Sequence, residues 1–175
     1  GKQVVESTRE RVKAGAWLVT CDFAEDGNRV LTYSVRDDEC GMAPELLARV
    51  SDPFTTTRTT RKVGLGIPML KQSAEMAGGT FGIESEIGKG TWIHASFDLS
   101  NIDCIPMGEI CDSLVTLIVL NPETPDLVFQ AFAPEKEALF DTRQVRAALG
   151  GVSLAEPEVA AWLTESIDEE FKPIL

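Results

Sequence analysis

The stretch from Val50 to Leu70, Val-Ser-Asp-Pro-Phe-Thr-Thr-Thr-Arg-Thr-Thr-Arg-Lys-Val-Gly-Leu-Gly-Ile-Pro-Met-Leu, constrains the chain more than any other. A Pro-Phe anchor leads through a polar, basic segment into Gly64-Leu65-Gly66, and an apolar helical pattern follows. That order describes a loop feeding a helix N-terminus. Glycine allows close approach of backbone to a ligand, and the first turn of a helix leaves N–H groups unpaired in a positive end-field that attracts anions. Arg58, Arg61 and Lys62 add three cations to the same loop, in a chain whose formal charge is −12. The combination points to a site for phosphate groups. A solvated surface loop with a helix cap behind it fits the same residues.

Composition narrows the alternatives. With 175 residues, 43% hydrophobic and 25% charged, the chain has material for one good core, or one core and a small annex. No apolar run approaches the roughly 20 residues that span a bilayer, so no membrane insertion is expected. The acidic balance disfavours nucleic acid as a partner. Cys21, Cys40, Cys104 and Cys111 form no Cys-x-x-Cys pair and His94 is the sole histidine, which disfavours zinc and suits free thiols in a cytoplasmic setting. The chain opens on Gly1 with no apolar leader behind it, and is expected to be a fragment start or an expression scar.

In order, residues 3–14 read as a helix stopped by Gly15. Residues 16–23 and 30–35 read as strands of a hairpin turned by residues 24–28. Pro44 opens a short helix to Val50. After the central loop, a helix over 67–76 ends at Gly78-Gly79, and strands over 80–86 and 91–99 flank Ile87-Gly88-Lys89-Gly90. Residues 100–106 read as a connection. Beyond it come a helix over 107–120, strands near 127–133 and 138–140, and helices over 142–149 and 156–171. The expected architecture is α+β: a sandwich of mixed or antiparallel sheet with helices on one face over residues 1–99, and an α+β annex of unknown role over 107–175.

Several motifs fall in a recognisable order. Asp37-Asp38-Glu39-Cys40-Gly41-Met42 resembles an Asp-x-Gly-x-Gly box, Asp52-Pro53-Phe54 a Phe box, and Gly64-Leu65-Gly66-Ile67-Pro68 a second glycine box. Gly78-Gly79, Glu84-Ser85 and Gly88-Lys89-Gly90-Thr91 match the closing segment of the same set. Together they resemble the ATP-binding domain of the GHKL superfamily, which includes gyrase B, the ninety-kilodalton heat-shock chaperone, sensor histidine kinases and mismatch-repair ATPases. The resemblance covers about residues 3–99 and implies the two-layer Bergerat fold, with ATP and Mg²⁺ as cofactors. It implies that Asp37 accepts the adenine amine, that Gly41 lets backbone pass beneath the base, and that Thr91 stands near it. Gly64, Leu65 and Gly66 would offer N–H donors to the phosphates. Arg58, Arg61 and Lys62 would form the lid over them.

Val12-Lys13-Ala14-Gly15-Ala16 resembles the tail of the family's first box. Counting back, Glu6 takes the general-base position and Glu10 the magnesium-ligand position, where the family has asparagine. Glu39 stands where the box has its first glycine. It is expected either to crowd the base or to need a positive φ, which costs a non-glycine residue about 1 kcal/mol or more. Only five residues precede Glu6, and His94 reads as a structural ring on a sheet face. The chain is therefore not expected to be a self-sufficient sensor kinase, and would act on a separate protein partner or phosphoacceptor. A homodimer is open as well. The alternative function is an interaction or regulatory module that keeps the fold without turnover. A structural role in a larger assembly is expected instead if Trp162 and Phe171 prove to be exposed anchors.

Overall fold

This computed structural model describes residues 16–23, 29–51 and 65–175, the side chains of 16–18 and 23 excepted. The expected helix over 3–14, the turn over 24–28 and the loop over 52–64 lie outside the described residues. Two compact units emerge: one takes the described residues up to Asp22 together with Pro106–Leu175, the other the described residues of Phe23–Ile105.

The second unit holds β2 (Val30–Arg36), α1 (Pro44–Leu47), α2 (Gly66–Met76), β3 (Phe81–Glu86) and β4 (Gly90–Asp98); β1 belongs to the other unit. The strand β4 lies between β2 and β3 and is antiparallel to both, with Val35 and Ile83 opposite Ile93, and Tyr33 and Phe81 opposite Ala95. Period-2 alternation therefore gathers these apolar residues on one face and leaves Ser34, His94 and Gly82 together on the other. The helix α2 rests on β3 and β4, burying Pro68 and Ala74. Its end is closed by the Gly79 N–H bonding the Ala74 carbonyl at 2.9 Å, as the Gly78-Gly79 pair predicts. The helix α1 stops at Leu47, three residues short of the expected end. Its 1–5 bonds give way to 1–4 bonds from Arg49 to Leu46 and from Val50 to Leu47, and the Ala43 side chain offers no cap at its start.

The first unit contains β1 (Ala16–Phe23), α3 (Ile110–Leu120), β5 (Asp126–Ala133), β6 (Lys136–Asp141), α4 (Thr142–Leu149) and α5 (Pro157–Phe171). Here β1 runs parallel to β5, from Ala16 opposite Asp126 to Asp22 opposite Phe132, while β6 is antiparallel to β5. The pairing in the chain is thus mixed and the class α+β, as the sequence predicts. The helix α3 begins at Ile110 rather than Met107, since Gly108 is a poor helix former. Asp141 caps α4 by accepting the Arg143 N–H at 2.9 Å and grips the Arg143 guanidinium at 2.6 Å. That contact holds the guanidinium pKa above its usual value.

Val159, Leu163, Ile167 and Phe171 recur at helical spacing on α5 and are its buried residues. Phe171 meets Phe129 with ring centroids 4.5 Å apart. Both rings are fully buried, so Phe171→Ala is expected to destabilise this unit by about 3–5 kcal/mol through lost burial and a cavity. Urea unfolding followed by far-UV circular dichroism measures it. Trp162, on the opposite face, is 48% exposed. The pair of exposed anchors therefore reduces to one.

All four cysteines are free thiols. Burial pushes the Cys21 thiol from 9.0 up to about 12, and Cys111 is raised by the same cause. Because the folded pKa exceeds the unfolded one, the stability tied to neutral Cys21 is full below about pH 9 and drains away as pH rises toward 12. A thiol reagent at pH 8 is expected to label the exposed Cys40 and spare Cys21 and Cys111 in the native chain. Mass spectrometry of the labelled peptides checks this.

Candidate nucleotide site

The site grows from the end of β2 and the turn between β3 and β4. As β2 ends, the Asp37 N–H donates to the Thr91 carbonyl at 2.9 Å. The Thr91 N–H donates back to Asp37 Oδ1 at 3.2 Å, and the Glu39 N–H reaches the same oxygen at 3.0 Å, closing an Asx turn. Two residues 54 positions apart are thereby locked together. Oδ1 is committed to two backbone donors, while Oδ2 has no hydrogen-bond partner among the described residues. The aspartate thus serves the turn with one oxygen and offers the other.

The loop that follows is fastened to the β3–β4 turn. The Gly88 N–H donates to the Cys40 carbonyl at 2.9 Å, and the Met42 N–H donates to Ser85 Oγ at 2.8 Å. Gly41 has φ 64, and a Cβ there would lie 2.0 Å from the Glu86 carbonyl oxygen. Gly90, at φ 89, would bring a Cβ to 2.1 Å from the Asp37 carbonyl oxygen. The two glycines permit a backbone-to-backbone approach that no side chain allows. Lys89 and Glu86 pair at 2.7 Å on the exposed tip, a surface contact of small energetic weight that closes the turn.

Glu39 needs correction. Every positive φ among the described residues belongs to glycine, so Glu39 carries no left-handed strain and its side chain is exposed. The glycine preference expected at that position on backbone grounds does not apply, because the Asx turn is built by Asp37 and leaves the third residue at negative φ.

At α2, Gly66 is the first helical residue and Leu65, 50% exposed, precedes it. The first turn has no side-chain cap and no acidic residue. Pro68 lacks an N–H and the Met69 N–H bonds the Leu65 carbonyl at 2.9 Å, which leaves the amides of Gly66 and Ile67 as the helix-end donors. Apart from its chain neighbours and its own helix backbone, no described atom lies within 4 Å of the Cβ position of Gly66. These features fit a phosphate group, as the open oxygen of Asp37 fits a base amine.

The structure therefore brings Asp37, Gly41 and Thr91 together and puts Leu65 and Gly66 at a helix start. Glu6, Glu10, Arg58, Arg61, Lys62 and Gly64 lie outside the described residues. Among the described residues no group of three or more His, Cys, Asp or Glu is placed to hold a metal ion. No described helix is long and apolar enough to cross a membrane. His94 lies against Trp92 with centroids 4.5 Å apart and the rings tilted by 35°, and its buried Nδ1 has no hydrogen-bond partner among the described residues. Ser85, which carries no role in the sequence reading beyond its motif, bonds both the loop and Thr91.

Comparison with known proteins gives the family. Residues 4–101, more than half of the chain, match the family described as histidine kinase-, DNA gyrase B- and HSP90-like ATPase. The chain is similar to the sensor histidine kinase AruS of Pseudomonas aeruginosa, at 31% identity over 101 residues, or 53% of this chain and 10% of that protein. It is also similar to the sensor protein SrrB of Staphylococcus aureus, at 37% over 78 residues, or 42% of this chain and 13% of that protein. The chain thus spans a small part of either relative. The crystal structure of full-length ShkA in complex with AMPPNP aligns with 56% of this chain and 20% of its own, at 29% identity and a TM-score of 0.38. The chain belongs to the histidine kinase-, DNA gyrase B- and HSP90-like ATPase family, with the α+β, Bergerat-type ATP-binding domain that its motifs imply.

Proposed function

We propose that this chain is an ATP-binding, histidine-kinase-like kinase or ATPase module that acts on a separate protein in the cytoplasm. The carrying observation is Asp37, whose Oδ1 is held by the Glu39 and Thr91 amides while Oδ2 has no partner among the described residues. One open acceptor suits the single exocyclic amine of adenine. Guanine, which pairs two donors with both oxygens of a carboxylate, would find one of them already taken. Gly66 and Ile67 at the start of α2, with Gly64 before them, would receive the phosphates, and Arg58, Arg61 and Lys62 would neutralise them. Glu6 would activate water or orient the acceptor hydroxyl or imidazole, and Glu10 would add a carboxylate ligand to Mg²⁺. When bound, Mg·ATP supplies the activated phosphoryl group. The protein kinase reading draws on the sensor histidine kinases the chain resembles.

Mg²⁺-dependent phosphate release or transfer tests this. Glu6→Gln is expected to slow it by about 100-fold or more with ATP affinity kept. Equal turnover in that variant removes Glu6 from the chemistry. A second reading, a module that binds partners without turnover, is favoured by Glu10, whose extra negative charge where the family has asparagine would repel the triphosphate. Partner binding with no Mg²⁺-dependent turnover would select it.

A further inference from the structure

We infer that Ser85 is a positioning residue for base recognition, acting through Thr91 and the Asp37–Met42 loop rather than by touching nucleotide; this rests on the ATP-binding reading above. Its hydroxyl joins three segments. It accepts the Met42 N–H at 2.8 Å across 43 residues of sequence, lies 3.0 Å from the Gly90 carbonyl, and lies 3.1 Å from Thr91 Oγ1. A hydroxyl has one proton to give and two lone pairs. The Gly90 carbonyl can only accept, so it takes the Ser85 proton. Ser85 Oγ then accepts from both Met42 and Thr91, which exhausts its capacity. Thr91 Oγ1, having donated to Ser85, is left with its lone pairs as acceptors for whatever approaches, and its rotamer is fixed. Without Ser85 the Thr91 hydroxyl could rotate and present a donor instead, and the Met42 amide would lose its partner. Ser85 thus sets both the polarity that Thr91 shows to a base and the height of the loop that carries Asp37 and Gly41.

The test is calorimetric titration with ATP and, as a probe without a base, inorganic tripolyphosphate, on the unaltered chain, Ser85→Ala, Ser85→Thr, Thr91→Val and the Ser85→Ala/Thr91→Val pair. Ser85→Ala is expected to weaken ATP by about tenfold and leave tripolyphosphate unchanged. Ser85→Thr, which keeps the hydroxyl, is expected to retain ATP binding. In the Thr91→Val background the Ser85 substitution is expected to add less than it does alone, because the two share one path. Equal loss of ATP and tripolyphosphate with a lowered melting temperature would make Ser85 merely structural and overturn the inference, as would full additivity. An unaltered chain that binds ATP while Ser85→Ala binds it equally well sinks the inference alone. An unaltered chain that binds tripolyphosphate but shows no preference for ATP sinks the ATP reading and this inference with it.

Discussion

Asp37→Asn is expected to lower ATP affinity by about 100-fold while leaving the fold almost intact. The substitution is isosteric, so the amide oxygen can still accept from Glu39 and Thr91 as Asp37 Oδ1 does at 3.0 and 3.2 Å. What changes is the other arm. An acceptor becomes an NH₂ donor, which then faces the adenine amine donor to donor. The loss of charge weakens the two retained bonds, so a stability decrease of about 1 kcal/mol accompanies the binding loss. Inosine triphosphate, which presents an oxygen where adenosine presents an amine, is expected to lose far less and to overtake ATP in the variant. Competitive displacement of a fluorescent nucleotide measures both. An Asp37→Asn chain that keeps its order of preference for ATP over inosine triphosphate would remove Asp37 from base recognition.

Gly41→Ala is expected to remove nucleotide binding and destabilise the second unit by about 3 kcal/mol, from left-handed strain together with collision. The methyl group would lie 2.0 Å from the Glu86 carbonyl oxygen and 2.7 Å from its carbon, atoms of backbone that cannot rotate away. To relieve it, the Asp37–Met42 loop must lift from the β3–β4 turn and break the contacts to Gly88 and Ser85. Gly66→Ala provides the contrast. Gly66 is helical and meets no described atom beyond its neighbours and its own helix, so alanine is expected to keep or slightly raise stability, by up to about 1 kcal/mol, while obstructing a phosphate at the helix start. Thermal melts with and without ATP separate the two: Gly41→Ala melts low in both, and Gly66→Ala melts normally but gains nothing from ATP.

Much of this was legible in local sequence. Proline at the start of α1, the Gly78-Gly79 stop of α2 and the alternation of β4 are signals confined to a few neighbouring residues, and those elements lie within a few residues of their expected positions. The non-local facts were not legible. That β1 pairs parallel with β5 depends on residues far apart in the chain, and no local pattern encodes a partner. Ser85 reads as one letter of a motif until the fold sets Met42 above it. Glu39 looked strained because a glycine was expected there, yet the turn is made by a side-chain bond from Asp37 and its third residue stays at negative φ. Trp162 and Phe171 do not share a face. Nine residues apart on a helix of 100° per residue they point half a turn away from each other, so burying Phe171 turns Trp162 to solvent. At the site, the grouping of Asp37, Gly41 and Thr91 around the β3–β4 turn was readable because each stands in a motif.

The most direct test of the central claim is calorimetric titration of the chain with ATP, with and without Mg²⁺, beside a Glu10→Asn/Glu39→Gly variant. The chain as it stands is expected to bind ATP in the micromolar range with Mg²⁺, and the variant to gain little from the Glu39 change, since that residue is unstrained and exposed. If only the variant binds, the chain as it stands is not a working nucleotide module, and if neither binds, the account given for Asp37 is contradicted as well.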